Sequence, residues 1–219
     1  MNRPLIINFK NYEEVLGEKA VELARAADAV AKKLEVEIVL APPQPSLALV
    51  AKSVRIPVIC QHIDSEKVGS STGYFLAEIA KSYGAVGSLI NHSEHRIQMD
   101  QISSLVERLR SQRMVSIVCA QEPWEVKEIS AFQPDFIAIE PPALIGSGRA
   151  VSKENPEIIT KSIEAAGSRS KVICGAGIAE RDDVVKAIEL GSQGILVASG
   201  IIKAKSWEDK ISELAAGMR

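Results

Sequence analysis

At 219 residues, 46% of them hydrophobic, the chain is sized for one well-packed domain spanning 1–219 and is short for two. A formal net charge of −2 with no block of like charges argues against a nucleic-acid or membrane surface, so an anionic ligand would be small and held by local groups. The apolar run after Met1 is too short for a signal segment and no stretch approaches the length of a membrane span, which points to a cytoplasmic protein.

Eight short runs rich in Val and Ile recur along the chain, at residues 5–9, 36–41, 56–60, 86–90, 115–120, 136–139, 171–174 and 194–198. Each is nearly all apolar, as expected of parallel strands covered on both faces. The first run ends Asn8-Phe9-Lys10, and strand alternation sets Asn8 and Lys10 on one side with Phe9 on the other. An Ala-rich amphipathic stretch at 17–34 then predicts a helix. After the third run come His62, a candidate loop contact, and the small polar segment Gly69-Ser70-Ser71-Thr72-Gly73-Tyr74.

The fourth run leads into Asn91-His92-Ser93-Glu94-His95-Arg96. A histidine between a strand and the start of a short helix would be held neutral by the positive helix end, leaving it able to donate a proton as an uncharged acid. A lone His at a strand end is also a common structural residue, and His95 reads as exposed or as part of an interface. A second helix is predicted at 100–113.

The sixth run ends at Glu140, followed by Pro141-Pro142, a short apolar tip and Gly146-Ser147-Gly148. Prolines stiffen the start of this loop and glycines free its exit, the pattern of a general base with a lid. The same residues are ordinary loop punctuation when met alone. After the seventh run stands Gly175-Ala176-Gly177, and after the eighth Ser199-Gly200. A third helix is predicted at 181–190, capped by Gly191. Cys60, Cys119 and Cys174 lie in apolar runs without a Cys-x-x-Cys pair and read as buried thiols in a reducing compartment.

Eight strands alternating with helices predict an α/β fold, a closed (β/α)₈ barrel with some outer helices only a turn or two long. An open doubly wound sheet would carry a Gly-x-Gly-x-x-Gly turn after the first strand, where this chain has Asn8-Phe9-Lys10-Asn11. In such a barrel, chemistry gathers at the C-terminal strand ends. Small residues after the last two strands suit backbone amides to a phosphate.

Together, Asn8-Phe9-Lys10, Asn91-His92-Ser93-Glu94, Ile139-Glu140-Pro141 with Ile145-Gly146-Ser147-Gly148, Cys174-Gly175-Ala176-Gly177 and Ala198-Ser199-Gly200 resemble the triosephosphate isomerase family in its compact archaeal form. The resemblance runs from the first strand to the eighth, in order. It implies a TIM barrel that interconverts glyceraldehyde 3-phosphate and dihydroxyacetone phosphate through an enediolate, with no metal or organic cofactor. Glu140 is then the base, His92 the neutral electrophile and Lys10 the fixed positive charge. Asn8 orients substrate oxygens and Glu94 holds Lys10. The phosphate rests near the amides of Ile145, Gly146, Gly177, Ala198 and Ser199, with Gly175 giving room.

Two departures from the longer form concern closure. Pro142-Ala143-Leu144 occupies the place of the usual lid Trp, and Gly-Ala-Gly replaces Gly-Gly-Ser in the seventh loop, removing a hydroxyl for which Ser199 is the available substitute. The segment from Gly69 to Tyr74 resembles the loop this family inserts into a neighbouring subunit, so a homodimer or homotetramer is expected. Another phosphate-binding barrel, a lyase or synthase, would show a Schiff-base Lys or a different acid/base pair. A non-catalytic sugar-phosphate sensor would have lost Glu140 or His92.

Overall fold

Short Val- and Ile-rich segments are too apolar to face water on either side, and in the computed structural model, which describes all of residues 1–219, they line up in parallel. Strands β1 (Leu5–Asn8), β2 (Ile38–Ala41), β3 (Gly87–Ile90), β4 (Val115–Ala120), β5 (Phe136–Ile139), β6 (Lys171–Cys174) and β7 (Ile195–Val197) form one sheet ordered β2-β1-β7-β6-β5-β4-β3. The sheet therefore has seven strands, where eight apolar runs were predicted.

The run at 56–60 lies between the two sheet ends. Ile59 N–H donates to Leu40 O at 2.8 Å and Leu40 N–H to Pro57 O at 3.0 Å on one side, while Cys60 N–H donates to Gly87 O at 2.9 Å on the other. These contacts amount to two isolated bridges, Leu40 with Val58 and Cys60 with Ser88. Pro57 has no amide hydrogen to donate, which shortens the ladder at this stave.

Strand alternation sorts the core into two layers. Eleven buried residues, among them Ile6, Val39, Ile59, Leu89, Ile117, Phe136, Ile173 and Leu196, fill the interior enclosed by the sheet, so every stave sends at least one side chain inward. Their strand neighbours Leu5, Ile7 and Phe9 face outward into a second layer shared with the helices. The interior is thus a packed core, and a ligand has only the rim to occupy.

Helices α1 (Glu18–Leu34), α2 (Leu47–Ser53), α3 (Ala77–Ser82), α4 (Met99–Ser111), α5 (Pro123–Ser130), α6 (Val151–Glu154), α7 (Pro156–Ala166), α8 (Arg181–Glu189), α9 (Ser199–Ile202) and α10 (Trp207–Ala216) supply that outer layer. In α1, Ala20, Leu23, Ala24, Ala27, Val30 and Ala31 recur at three- and four-residue steps and are buried, giving a narrow apolar stripe toward the strands. The helix stops at Glu35, which turns left-handed at φ 55°. α4 begins with a capping box between Gln98 and Gln101. The three helices predicted from periodicity match α1, α4 and α8 to within two residues. None of the helices is long and apolar enough to cross a membrane.

Candidate active site

At the C-terminal end of β1 the chain turns through Lys10, whose φ is 49°. Asn8 Oδ1 accepts the Lys10 N–H at 3.0 Å, closing an Asx turn, and Gln61 Nε2 donates to Lys10 O at 2.9 Å. The lysine stem is therefore fixed at the mouth, and its ammonium lies 2.7 Å from Glu94 Oε1.

β3 hands over to the mouth through Asn91, buried and left-handed at φ 62°. Its Nδ2 donates to Cys119 O at 3.0 Å and its Oδ1 accepts from Ile97 N–H at 3.1 Å, pinning the turn from both sides. The expected short helix after His92 is a turn instead: His95 N–H donates to His92 O at 2.8 Å and α4 starts only at Met99. Glu94 N–H donates to His92 Nδ1 at 3.2 Å, so Nδ1 is an acceptor and the hydrogen of the neutral ring sits on Nε2. The Glu94 carboxylate is 3.7 Å from the same nitrogen, too far to compete for it.

Asn91→Gly tests how the turn is held. Glycine tolerates the left-handed φ, so the variant removes the two hydrogen bonds, one buried and one half-buried, without backbone strain. Urea unfolding is expected to show a loss of about 1–3 kcal/mol. A variant as stable as the parent would show that those bonds do not hold the turn.

Glu140 follows β5 directly and is 5% exposed. Its Oε2 has no hydrogen-bond partner and lies 3.7 Å from His92 Nε2. A buried polar atom left unpaired is costly unless a ligand group is to meet it. The thiols nearby add no charge. Burial first, and the Glu140 carboxylate second, push the pKa of Cys119 and Cys174 well up, while burial alone takes Cys60 to about 12.

Beyond Glu140 the lid starts as a 3-10 turn, Pro142–Leu144. Leu144 is buried in the outer core and anchors it. Ser147 Oγ donates to Leu144 O at 2.8 Å and accepts from Arg149 N–H at 3.1 Å, so the tip is closed on itself where a Trp was absent. Gly146 and Gly148 both have positive φ. The exit of the lid presses on the seventh-unit loop. A Cβ on Gly177, where φ is 73°, would sit 1.9 Å from Arg149 O, so only glycine fits there.

A cavity of about 360 Å³ joins these parts. Asn8, Lys10, His92 and Glu140 line it together with Ile145, Gly146, Gly177, Ala198 and Ser199. Glu94 stands behind Lys10, in an adjoining polar cleft with Asn11, Gln44 and His62. Gly175 is not among the lining residues and lies under the base, where an added Cβ would come 2.5 Å from Glu140 Cγ. His62 and His95 stack outside the cavity with ring centres 3.9 Å apart. Tyr12, Ala176 and Lys203 line the cavity and were missed from sequence. The signals available were the position of Tyr12 two residues beyond Lys10 and that of Lys203 one helical turn beyond Ser199.

A barrel that sets one buried carboxylate against an imidazole, beside loops able to cradle a phosphate, is an enzyme of the phosphate-binding barrel class, suited to proton transfer on a small sugar phosphate. The family model described as triosephosphate isomerase matches residues 4–214. The chain is 51% identical over 216 residues to the triosephosphate isomerase of Cenarchaeum symbiosum (strain A), covering 98% of this chain and 97% of that one. It is 45% identical over 222 residues to that of Methanothermus fervidus, covering both chains fully, and 41% identical over 213 residues to that of Methanocaldococcus jannaschii, covering 96% and 97%. The chain belongs to the triosephosphate isomerase family.

Proposed function

We propose that Glu140, His92 and Lys10 carry out the triosephosphate isomerase reaction at this mouth, interconverting D-glyceraldehyde 3-phosphate and dihydroxyacetone phosphate. The observation that carries the reading is the unpartnered Glu140 Oε2 facing His92 Nε2 over the cavity. Glu140 removes the proton from the carbon beside the carbonyl and returns it to the neighbouring carbon. His92 donates its Nε2 hydrogen to the carbonyl oxygen as negative charge develops there and takes the proton of the neighbouring hydroxyl as the new carbonyl forms, which restores the ring, and Lys10 stabilises the enediolate electrostatically. Asn8 orients the substrate oxygens. Glu94 acts through Lys10, fixing its ammonium. The phosphate binds at the far end of the cavity, against the amides of Gly146, Gly177, Ala198 and Ser199 and close to Ile145. The test is a coupled assay of glyceraldehyde 3-phosphate conversion, in which absence of turnover by the intact protein would sink the reading.

A lyase or synthase is disfavoured because the family model that spans residues 4–214 is that of triosephosphate isomerase. Counting 57–60 as a stave closes the barrel at eight, the chain then being one (β/α)₈ domain over 1–219. We further propose a cytoplasmic homodimer or homotetramer. The exposed segment from Gly69 to Tyr74, with Val68 and Tyr74 63% and 47% exposed, supports an intersubunit role for that loop.

The lid has a chemical task besides binding. An enediolate with a phosphate on the next carbon can expel that phosphate, and a closed lid holds the leaving group in the unfavourable plane while excluding water. Replacing residues 145–148 with four glycines removes the Ser147 hydrogen bonds that order the tip. Release of inorganic phosphate per isomerisation event is then expected to rise. An unchanged partition between the two products would remove this role from the lid.

A further inference from the structure

The seventh-unit loop offers the cavity no hydroxyl, since it lines it with Ala176 and Gly177, and one lining side chain, that of Lys203, has no assigned part. Lys203 immediately follows α9, four residues beyond Ser199. Its backbone is tied to that residue, the Lys203 N–H donating to Ser199 O at 3.1 Å. Its Nζ is 5.0 Å from the centre of the Tyr12 ring, which reaches the same cavity from the loop after β1. Lys10 and Lys203 are the two lysines of the cavity. Lys10 is committed to Glu94 at 2.7 Å, whereas Lys203 has no carboxylate within 4.0 Å.

An unpaired ammonium beside an anion cradle, steadied by the face of an aromatic ring, is placed to meet a dianion. We propose that Lys203, aimed by Tyr12, is a phosphate-binding side chain of this enzyme and supplies by charge what the seventh-unit loop lacks as a hydroxyl. The inference rests on the isomerase reading above and adds to it the group that selects the phosphorylated substrate. Tyr12 acts through Lys203 and is a positioning residue. The ring keeps the long side chain over the cavity, reducing the freedom lost when the phosphate arrives.

The experiment compares the intact protein with Lys203→Met, Lys203→Arg and Tyr12→Leu. It measures KM and kcat for glyceraldehyde 3-phosphate, kcat/KM for unphosphorylated glyceraldehyde, and inhibition by inorganic phosphate. In Lys203→Met, KM and the inhibition constant of phosphate are both expected to rise by about tenfold, the scale of one hydrogen bond to a charged group at an exposed site. The loss on glyceraldehyde should be at least about fivefold smaller, because that substrate has no phosphate to forfeit. Lys203→Arg should recover most of the phosphate affinity, and Tyr12→Leu should fall between. Unchanged phosphate inhibition in Lys203→Met, or an equal loss on both substrates, overturns the assignment. Turnover of glyceraldehyde 3-phosphate by the intact protein separates that outcome from failure of the isomerase reading, since without it both fall.

Discussion

Glu140→Gln is expected to lower kcat by about 10³-fold or more while raising thermal stability, and the pairing of the two effects is the informative part. A positioned base supplies about 10²–10⁴-fold, and a carboxamide of the same shape cannot take the proton. The carboxylate is 5% exposed and its Oε2 is unpartnered, so the folded protein bears the cost of burying it. Removing that charge relieves the cost, and the melting midpoint should rise by about 2–4 °C for each kcal/mol recovered. Steady-state kinetics and a melting curve on the same preparation check both. Activity within about tenfold of the parent, well short of the roughly 10²-fold low end of a base's contribution, would remove Glu140 from the role. A loss of activity together with a loss of stability would mean that the residue serves the fold.

Gly175→Ala should strike the same group from below. A Cβ there would lie 2.5 Å from Glu140 Cγ, 2.9 Å from Oε1 and 3.0 Å from Cδ, all closer than nonbonded carbon and oxygen tolerate. Gly175 is not among the glycines with positive φ, so alanine fits the backbone and the strain falls on the base. Displacing a reacting group by about 1 Å can cost about 10²-fold, and that is the expected fall in kcat. KM should change little, because the phosphate end of the cavity is untouched. If KM rose instead and kcat held, Gly175 would belong to the phosphate cradle after all, as its place in the seventh unit first suggested.

The contact of Gly175 with the base follows from the strand register. Ile139 pairs with Cys174, so the residues that follow them, Glu140 and Gly175, become neighbours across β5 and β6. No local pattern announces that contact. Elements whose signal is local were readable: the stripe in α1, the strand runs, and the Asn, Lys, His and Glu residues at strand ends, because alternation and helical spacing act within a few residues. The run at 56–60 was read as a full strand because its apolar character is genuine, yet Pro57 limits its ladder to single bridges. The segment Ser93-Glu94-His95-Arg96 is too short to carry a helical period, and the hydrogen bond that fixes the His92 tautomer comes from a turn amide. Tyr12 and Lys203 lie near opposite ends of the chain and meet only because β1 and β7 are adjacent in the sheet.

The central claim, that one carboxylate moves a proton between adjacent carbons through an enediolate, is tested most directly by running the isomerisation of glyceraldehyde 3-phosphate in deuterium oxide. Proton NMR of the dihydroxyacetone phosphate formed reads the carbon that was the aldehyde. A base that takes up a proton and exchanges it with solvent leaves deuterium at that carbon, and this is the expected result for the intact protein. Deuterium entering that carbon at an undiminished rate in Glu140→Gln would mean that another group takes the proton, and would contradict the account.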